Sequence, residues 1–279
     1  MQRVDIYNLL SATAEPLYGV REAEQIARMI LSEMAGVSLT HLVLEPNEQC
    51  TIENLDCIVE ELSSGRPVQY IIGEADFCSH RFVVREGVLI PRPETEELVY
   101  RVVEECEPKP RILDVGCGSG AIAISLAKAI EGSEVWALDL SKEALAVSRE
   151  NNLRLEGRVN IVDGDALNGI ENYVDGEFDI IVSNPPYIPY NEECDMRTNV
   201  VDYEPHMALF VDDDEPLIFY RKIARSALML MPSGGLLYFE VHESLWSDVV
   251  DMLREMGYIG VTMCRDINEK PRIVCAEKQ

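Results

Sequence analysis

Residues 178–187 read FDIIVSNPPY, an apolar, β-branched run that ends in an asparagine, two prolines and a tyrosine. The run has the composition of an inner parallel strand. Pro185 and Pro186 cannot continue its hydrogen-bond ladder, so the strand at 178–182 must stop at Ser183 or Asn184. In an open α/β sheet the crevice beyond the carboxyl ends of the strands binds ligands. Asn184 and Tyr187 would be delivered to that rim on a backbone that the prolines stiffen. Asn and Pro are also ordinary turn residues. What favours a site over a plain loop is the aromatic and a second stretch upstream, Gly116-Cys117-Gly118-Ser119-Gly120.

That stretch lies between a buried strand at 111–115 and a helix at 121–130. Glycines there permit positive φ and close approach of a ligand to the backbone, and free N–H groups at a helix start favour polar or anionic groups. The spacing is GxGxG with Asp114 two residues before the first glycine, not the dinucleotide GxGxxG, and no Lys-Ser/Thr follows as a phosphate loop requires. A nucleoside is the expected ligand rather than a pyrophosphate. Asp139 ends the next strand, 135–138, about 20 residues past the glycines, where an acid accepts hydrogen bonds from ribose hydroxyls. It competes with a capping role for the helix at 142–151, for which Ser141 is better placed. Asp165-Ala166, after a third strand at 159–162, suits an adenine edge or a simple turn.

The chain that must position these groups has 279 residues, enough for one large domain or a large and a small one. Lys and Arg number 24 against 50 Asp and Glu, a formal charge of -26 that opposes a nucleic-acid partner. The eight cysteines form no CxxC pair, and His41, His80, His206 and His242 show no ligand spacing, so free thiols and no metal are expected. No membrane span or apolar leader is visible, which predicts a cytoplasmic protein.

Residues 1–75 repeat apolar positions at helical spacing, as in Ile26, Met29, Ile30 and Met34, and again in Ile52, Leu55, Ile58, Val59 and Leu62. They predict a small helical bundle, either a stabilising cap or a docking surface. Residues 68–72 are β-rich, and the runs around Phe77 and 81–84 alternate like a hairpin. Thr95 is placed to cap a helix through Leu98, Val99, Val102 and Val103, and Arg92, Glu94 and Glu96 read as a surface ion-pair cluster. Beyond the NPPY loop come a helix at 218–231, a strand at 235–241, a helix at 244–256 and strands at 258–264 and 272–276. The last two have no helix between them and predict an antiparallel edge hairpin.

The glycine loop, the acid after the second strand and NPPY together resemble the class I S-adenosylmethionine-dependent methyltransferases. The segments VLIPRPETEELV (88–99), QYIIGEADF (69–77), LDVGCGSGAIAI (113–124) and YEPHMAL (203–209) are similar to the HemK/PrmC family of release factor glutamine methyltransferases. The resemblance implies an α/β fold: a seven-stranded Rossmann-like sheet, its last strand antiparallel, with a small N-terminal helical domain (1–75), a β-hairpin connector (76–90) and a methyltransferase domain (91–279). It implies S-adenosyl-L-methionine as cofactor and S-adenosyl-L-homocysteine as product. Gly116, Cys117, Gly118, Ser119, Gly120, Asp139, Asp165, Ala166 and Asn184 would bind the cofactor, and Asn184, Pro185, Pro186 and Tyr187 would hold and align the substrate glutamine. The implied partners are class I peptide-chain release factors, met by a monomer. The alternatives are adenine methylation in DNA or RNA, which also uses NPPY, and a scaffold that has lost catalysis. Family members often carry a glycine-rich turn where this chain has VDDDEP (211–216), and a Gly where it has Val241 and His242.

Overall fold

The computed structural model describes the chain from Met1 to Gln279, apart from the side chain of Asp195. It divides into two compact units, Met1–Glu74 with Arg197–Tyr203, and Ala75–Met196 with Glu204–Gln279.

The first unit is helical: Arg3–Tyr18, Val20–Ala35, Leu39–Leu44, Leu55–Ser63 and Val68–Ile72. Gly36, at φ 64°, ends the second helix in the left-handed conformation that a C-cap needs. Ser38 opens the third, its Oγ accepting from the His41 amide at 3.2 Å. Ile6, Leu10, Ile26, Ile30, Ile58 and Leu62 bury one shared core. Residues 68–72 are a helix here, not the strand that their β-rich composition predicts. Val68, Ile71 and Ile72, at helical spacing, all pack into that core, and Gly73 stops the turn at φ 84°. Tertiary burial overrides an intrinsic β preference in so short a segment. Arg197 donates to both carboxylate oxygens of Glu22, at 2.9 and 3.0 Å, and the Tyr203 hydroxyl donates to the Ser64 carbonyl at 3.1 Å.

The second unit opens with a hairpin of strands β1 (Glu74–Phe77) and β2 (His80–Val83). Cys78 and Ser79 both take positive φ, 46° and 61°, as a tight two-residue hairpin turn requires. Five parallel-type strands follow along the chain: β3 (Arg111–Val115), β4 (Glu134–Asp139), β5 (Asn160–Asp163), β6 (Ile180–Ser183) and, after the two-residue β7 (Ile188–Pro189) and β8 (Phe210–Val211), β9 (Leu236–Glu240). Strands β10 (Tyr258–Arg265) and β11 (Pro271–Lys278) complete a seven-stranded sheet in the order β10-β11-β9-β6-β3-β4-β5. The final strand, β11, runs antiparallel to both β9 and β10, as the absence of a helix before it predicts.

Both faces of this sheet are apolar. Leu113, Val115, Ile181, Leu237 and Phe239 pack on one side with helices Ile218–Leu230 and Trp246–Glu255. Ile112, Ile180, Val182 and Tyr238 pack on the other with helices Pro93–Glu105 and Ala121–Ala129. The period-two alternation of these residues makes a three-layer α/β sandwich. Among the described residues no helix is long and apolar enough to cross a membrane.

Asn151, fully buried in helix Lys142–Arg154, joins three parts of this unit. Its Nδ2 donates to the carbonyls of Val83 (3.0 Å) and Ser119 (2.9 Å), and its Oδ1 accepts from the Val83 amide at 2.7 Å. Replacement by Ala strands these backbone groups in a dry site, and Asn151→Ala should lose about 2–4 kcal/mol in urea unfolding.

Asp114 is completely buried in β3, with Oδ2 accepting from the Ala123 amide at 3.1 Å and Oδ1 without a partner among the described residues. Burial pushes its carboxyl up to about 8 from the ordinary 3.8, against the pull of the Ala123 amide. A folded-state value above the unfolded one means the fold keeps a proton that the open chain releases. Stability from this group is therefore full below the ordinary value and is lost as pH rises toward about 8. Asp114→Asn, neutral at every pH, should gain stability relative to the parent across that window, by at most about 1.4 kcal/mol per pH unit. Parallel pH profiles of thermal midpoint for the two proteins would refute this.

Candidate active site

The register of the sheet sets the site. Val115 pairs with Leu138 on one side and Ser183 on the other, Asp139 pairs with Asp163, and Ser183 pairs with Phe239. Consequently Gly116, Asp139, Asn184 and Glu240 reach the carboxyl edge at one level. The chain runs from β3 outward to β5, then returns to place β6 on the other side of β3, so this edge is the topological switch point. The Ser183 Oγ donates to the Val115 carbonyl at 2.6 Å and ties the two strands together at the edge.

A cleft of about 340 Å³ opens there, within the size range of small-molecule sites. Of the residues singled out from sequence, Gly116, Gly118, Asp139, Asp165, Ala166, Asn184, Pro185 and Pro186 line it. The glycines divide by role. Gly116 and Gly118, at φ 78° and 55°, face open space where a Cβ would sit, whereas at Gly120 a Cβ would meet Ile124 at 3.0 Å and Ser148 at 3.2 Å. Gly120 is a packing glycine. Cys117 and Ser119 are buried away from the cleft, Cys117 in the core and Ser119 with its carbonyl held by Asn151.

The loop also differs from a cradle of free amides. The Gly116 and Cys117 amides donate to the Leu138 carbonyl, at 2.8 and 3.1 Å, and the Gly120 amide to the Cys117 carbonyl at 2.8 Å. The Gly118 amide donates to Asp139 Oδ2 at 2.8 Å, and Asp139 Oδ1 takes the Ser141 amide at 2.8 Å. Asp139 thus locks the two loops in register, while Ser141 caps the following helix, accepting from Ala144 at 3.2 Å. Burial raises the Asp139 carboxyl above its ordinary range against the donors from Gly118 and Ser141. Asp165 takes the turn role: its carboxylate accepts from the Leu167 amide at 2.8 Å and Asn168 Nδ2 at 2.7 Å at the cleft wall.

Tyr187 is absent from the cleft lining. Its ring joins the core, and its hydroxyl donates to Glu240 Oε1 at 3.2 Å. Thr95 is not a helix cap either: Arg92 occupies the N-cap and Pro93 the first turn, where its missing N–H costs nothing, and Thr95 Oγ1 donates to Glu240 Oε2 at 2.6 Å. Nor are Arg92, Glu94 and Glu96 a local ion cluster. Arg92 reaches the buried Glu204 at 2.5 Å, Glu204 also accepts from the Ile90 amide at 3.1 Å, and Glu96 accepts from Cys78 at 3.0 Å.

Glu204 thereby pins 90–92 to the segment that supplies Pro205, Met207 and Ala208 to the cleft, beside Phe210, Phe219 and Ile223. That apolar wall has no chemical signature in sequence; only the string YEPHMAL marked it. The turn at 212–215 closes on its own acids, Asp212 Oδ1 accepting from the Asp214 amide at 3.1 Å, and Asp213 accepts from the Asn191 amide at 3.0 Å.

Known proteins resemble this chain in sequence and in fold. The family described as Methyltransferase small domain matches residues 94–202, and the PrmC N-terminal domain matches 12–73. A Bacteroides thetaiotaomicron protein named release factor glutamine methyltransferase is 39% identical over 286 residues, 100% of each chain. A Flavobacterium psychrophilum protein of the same name is 36% identical, covering 92% of this chain and 93% of its own. Among solved structures, the fold is similar to a Thermus thermophilus 16S rRNA N2 G1207 methyltransferase in complex with AdoMet and guanosine. That match is 17% identical, with TM-score 0.55, covering 74% of this chain and 50% of that one. A Pyrococcus furiosus methyltransferase is 19% identical with TM-score 0.54, covering 71% and 88%. On the full-length similarity, together with the two matched domains, the chain belongs to the family of release factor glutamine methyltransferases.

Proposed function

We propose that the chain transfers a methyl group from S-adenosyl-L-methionine to the side-chain amide nitrogen of the glutamine in the Gly-Gly-Gln motif of class I peptide-chain release factors, with S-adenosyl-L-homocysteine as the other product. The observation that carries this reading is the placement of Asn184 and Pro185 in the same cleft as Gly116, Gly118 and Asp139. The cleft fits the cofactor: its glycine side is open where a Cβ would stand, its acid suits ribose hydroxyls, and Ala166, Leu140 and Phe219 offer apolar surface to an adenine.

When bound, the cofactor supplies a sulfonium-activated methyl. An amide nitrogen is a weak nucleophile because its lone pair is shared with the carbonyl, so the residues of this chain must chiefly align it. Asn184 Oδ1 and the Pro185 carbonyl accept the two amide hydrogens and aim the nitrogen into the cleft, an alignment that contributes up to about 7 kcal/mol. Tyr187 braces this loop from behind through Glu240. The amide sheds its extra proton after the new bond forms. Glu240 and His206 lie outside the cleft lining, and the transfer needs no base to begin.

Residues 1–75 act in this reading as the docking domain for the folded substrate, 76–90 as connector and 91–279 as the catalytic domain. Exposed Leu39, Val43 and Leu44 give the helical part apolar contact surface. Work in the cytoplasm follows from the substrate. The charge of -26 disfavours the adenine-methylating alternative.

Labelled cofactor offered with release factor or with nucleic acid tests the reading: label should enter the factor, and label in nucleic acid alone would refute it. Asp139→Ala should weaken cofactor binding by roughly 1.5–3 kcal/mol in calorimetry. Asn184→Ala and Asn184→Asp should bind cofactor within about tenfold of the parent. Both should turn over about a hundredfold more slowly or worse, because the lost alignment matters mainly in the transition state. Near-parental single-turnover rates in Asn184→Ala would reduce the loop to a structural turn.

A further inference from the structure

Glu240 is a buried carboxylate that the reaction does not use, at 2% exposure on the end of β9. It holds one end of the 184–187 loop directly and reaches the other through Thr95. Oε1 accepts from the Tyr187 hydroxyl at 3.2 Å, and Oε2 from Thr95 Oγ1 at 2.6 Å. Thr95, 4% exposed in the first turn of helix Pro93–Glu105, is in turn 3.4 Å from Asn184 Nδ2.

We propose that Thr95 is a positioning residue that sets which way round the Asn184 amide lies. The 2.6 Å contact to Glu240 has the length of a charge-assisted O–H···O⁻ bond, and the Arg272 charge and the Tyr187 hydroxyl favour the carboxylate form against the burial that raises it. A hydroxyl has one proton, and here it is committed to Glu240. Toward Asn184, Thr95 presents only lone pairs. Asn184 can meet them with its NH2 and with nothing else, since the flipped amide would face oxygen against oxygen with no proton between them. The NH2 is therefore held inward, and Oδ1 is left as the acceptor that the substrate amide requires. Asparagine alone has no such preference: its two ends are nearly the same size and one rotation exchanges them. An amide turned the wrong way would offer two donors to a substrate NH2 that can only donate, so the relay from Glu240 through Thr95 selects the productive orientation. Packing fixes its geometry, because Tyr220 donates to the Glu240 carbonyl at 3.1 Å and Thr95 is held in a helix.

This inference rests on the function proposed above for its kinetic arm only. Thr95→Val keeps the branched shape and removes the proton. Its single-turnover methylation of release factor should fall about 10- to 100-fold, with S-adenosylmethionine affinity unchanged. Thr95→Ser, which restores the hydroxyl, should recover most of that loss. In an Asn184→Ala background Thr95→Val should cost nothing further, because the relay then has nothing to orient. A full additional loss there would assign Thr95 a merely structural role and overturn the proposal.

The second arm needs no substrate. The side-chain ¹⁵N–¹H2 pair of Asn184, identified by its disappearance in Asn184→Ala, should shift in Thr95→Val and return in Thr95→Ser. Glu240→Gln, whose facing group is no longer an obligate acceptor, should shift it too and serves if Thr95→Val does not fold. An unmoved pair in these variants overturns the proposal whatever the kinetics. A parent protein that leaves release factor unlabelled would refute the proposed function, and the Asn184 signals would still decide the role of Thr95.

Discussion

Everything at the candidate site depends on the parallel register of β3, β4, β6 and β9. Because Val115 lies level with both Leu138 and Ser183, and Ser183 with Phe239, four loops leave the sheet at the same height. A slip of one residue would turn every side chain of a strand to the opposite face. It would bury Leu113 and Val115 against the wrong helices and move Asn184 away from Gly116. Register is enforced because both faces are apolar, so the energy that builds the core also aligns the chemistry.

Polar groups complete the alignment where hydrophobic packing cannot. Asp139 bonds the glycine loop to the strand edge beside it, Ser183 bonds β6 to β3, and Glu204 bonds 90–92 to the apolar wall. Each is a directional contact between segments far apart in sequence. Buried polar groups must be satisfied, so each bond also constrains the loop that supplies its partner. Glu240 belongs to the same class, and its burial raises its carboxyl above the ordinary range while the Thr95 hydroxyl, the Arg272 charge and the Tyr187 hydroxyl oppose the rise.

The amides of the glycine loop are largely consumed within the protein. Such a loop offers a ligand shape and proximity rather than a nest of donors, which suits an uncharged nucleoside better than a pyrophosphate. Open space at Gly116 and Gly118, and its absence at Gly120, shows that three glycines of one motif answer to different constraints.

The amino-acid sequence by itself determined the elements whose signals are local. Two prolines end β6 at Ser183, the glycines turn β3 into a helix, and the run of two late strands yields the antiparallel hairpin. Positions that line the cleft were legible at Gly116, Gly118, Asp139, Asp165, Ala166, Asn184 and the two prolines, because residue type and distance from a strand end are one-dimensional facts. Tertiary structure decided the rest. Val68–Ile72 became a helix because its neighbours bury that face, Tyr187 turned from the cleft to Glu240, and Thr95 left its expected cap for a carboxylate 145 residues away. Which acid a hydroxyl meets, and which loop an arginine reaches, are set by strand order and register. No local pattern encodes those contacts, since their partners are brought together only when the whole sheet is assembled.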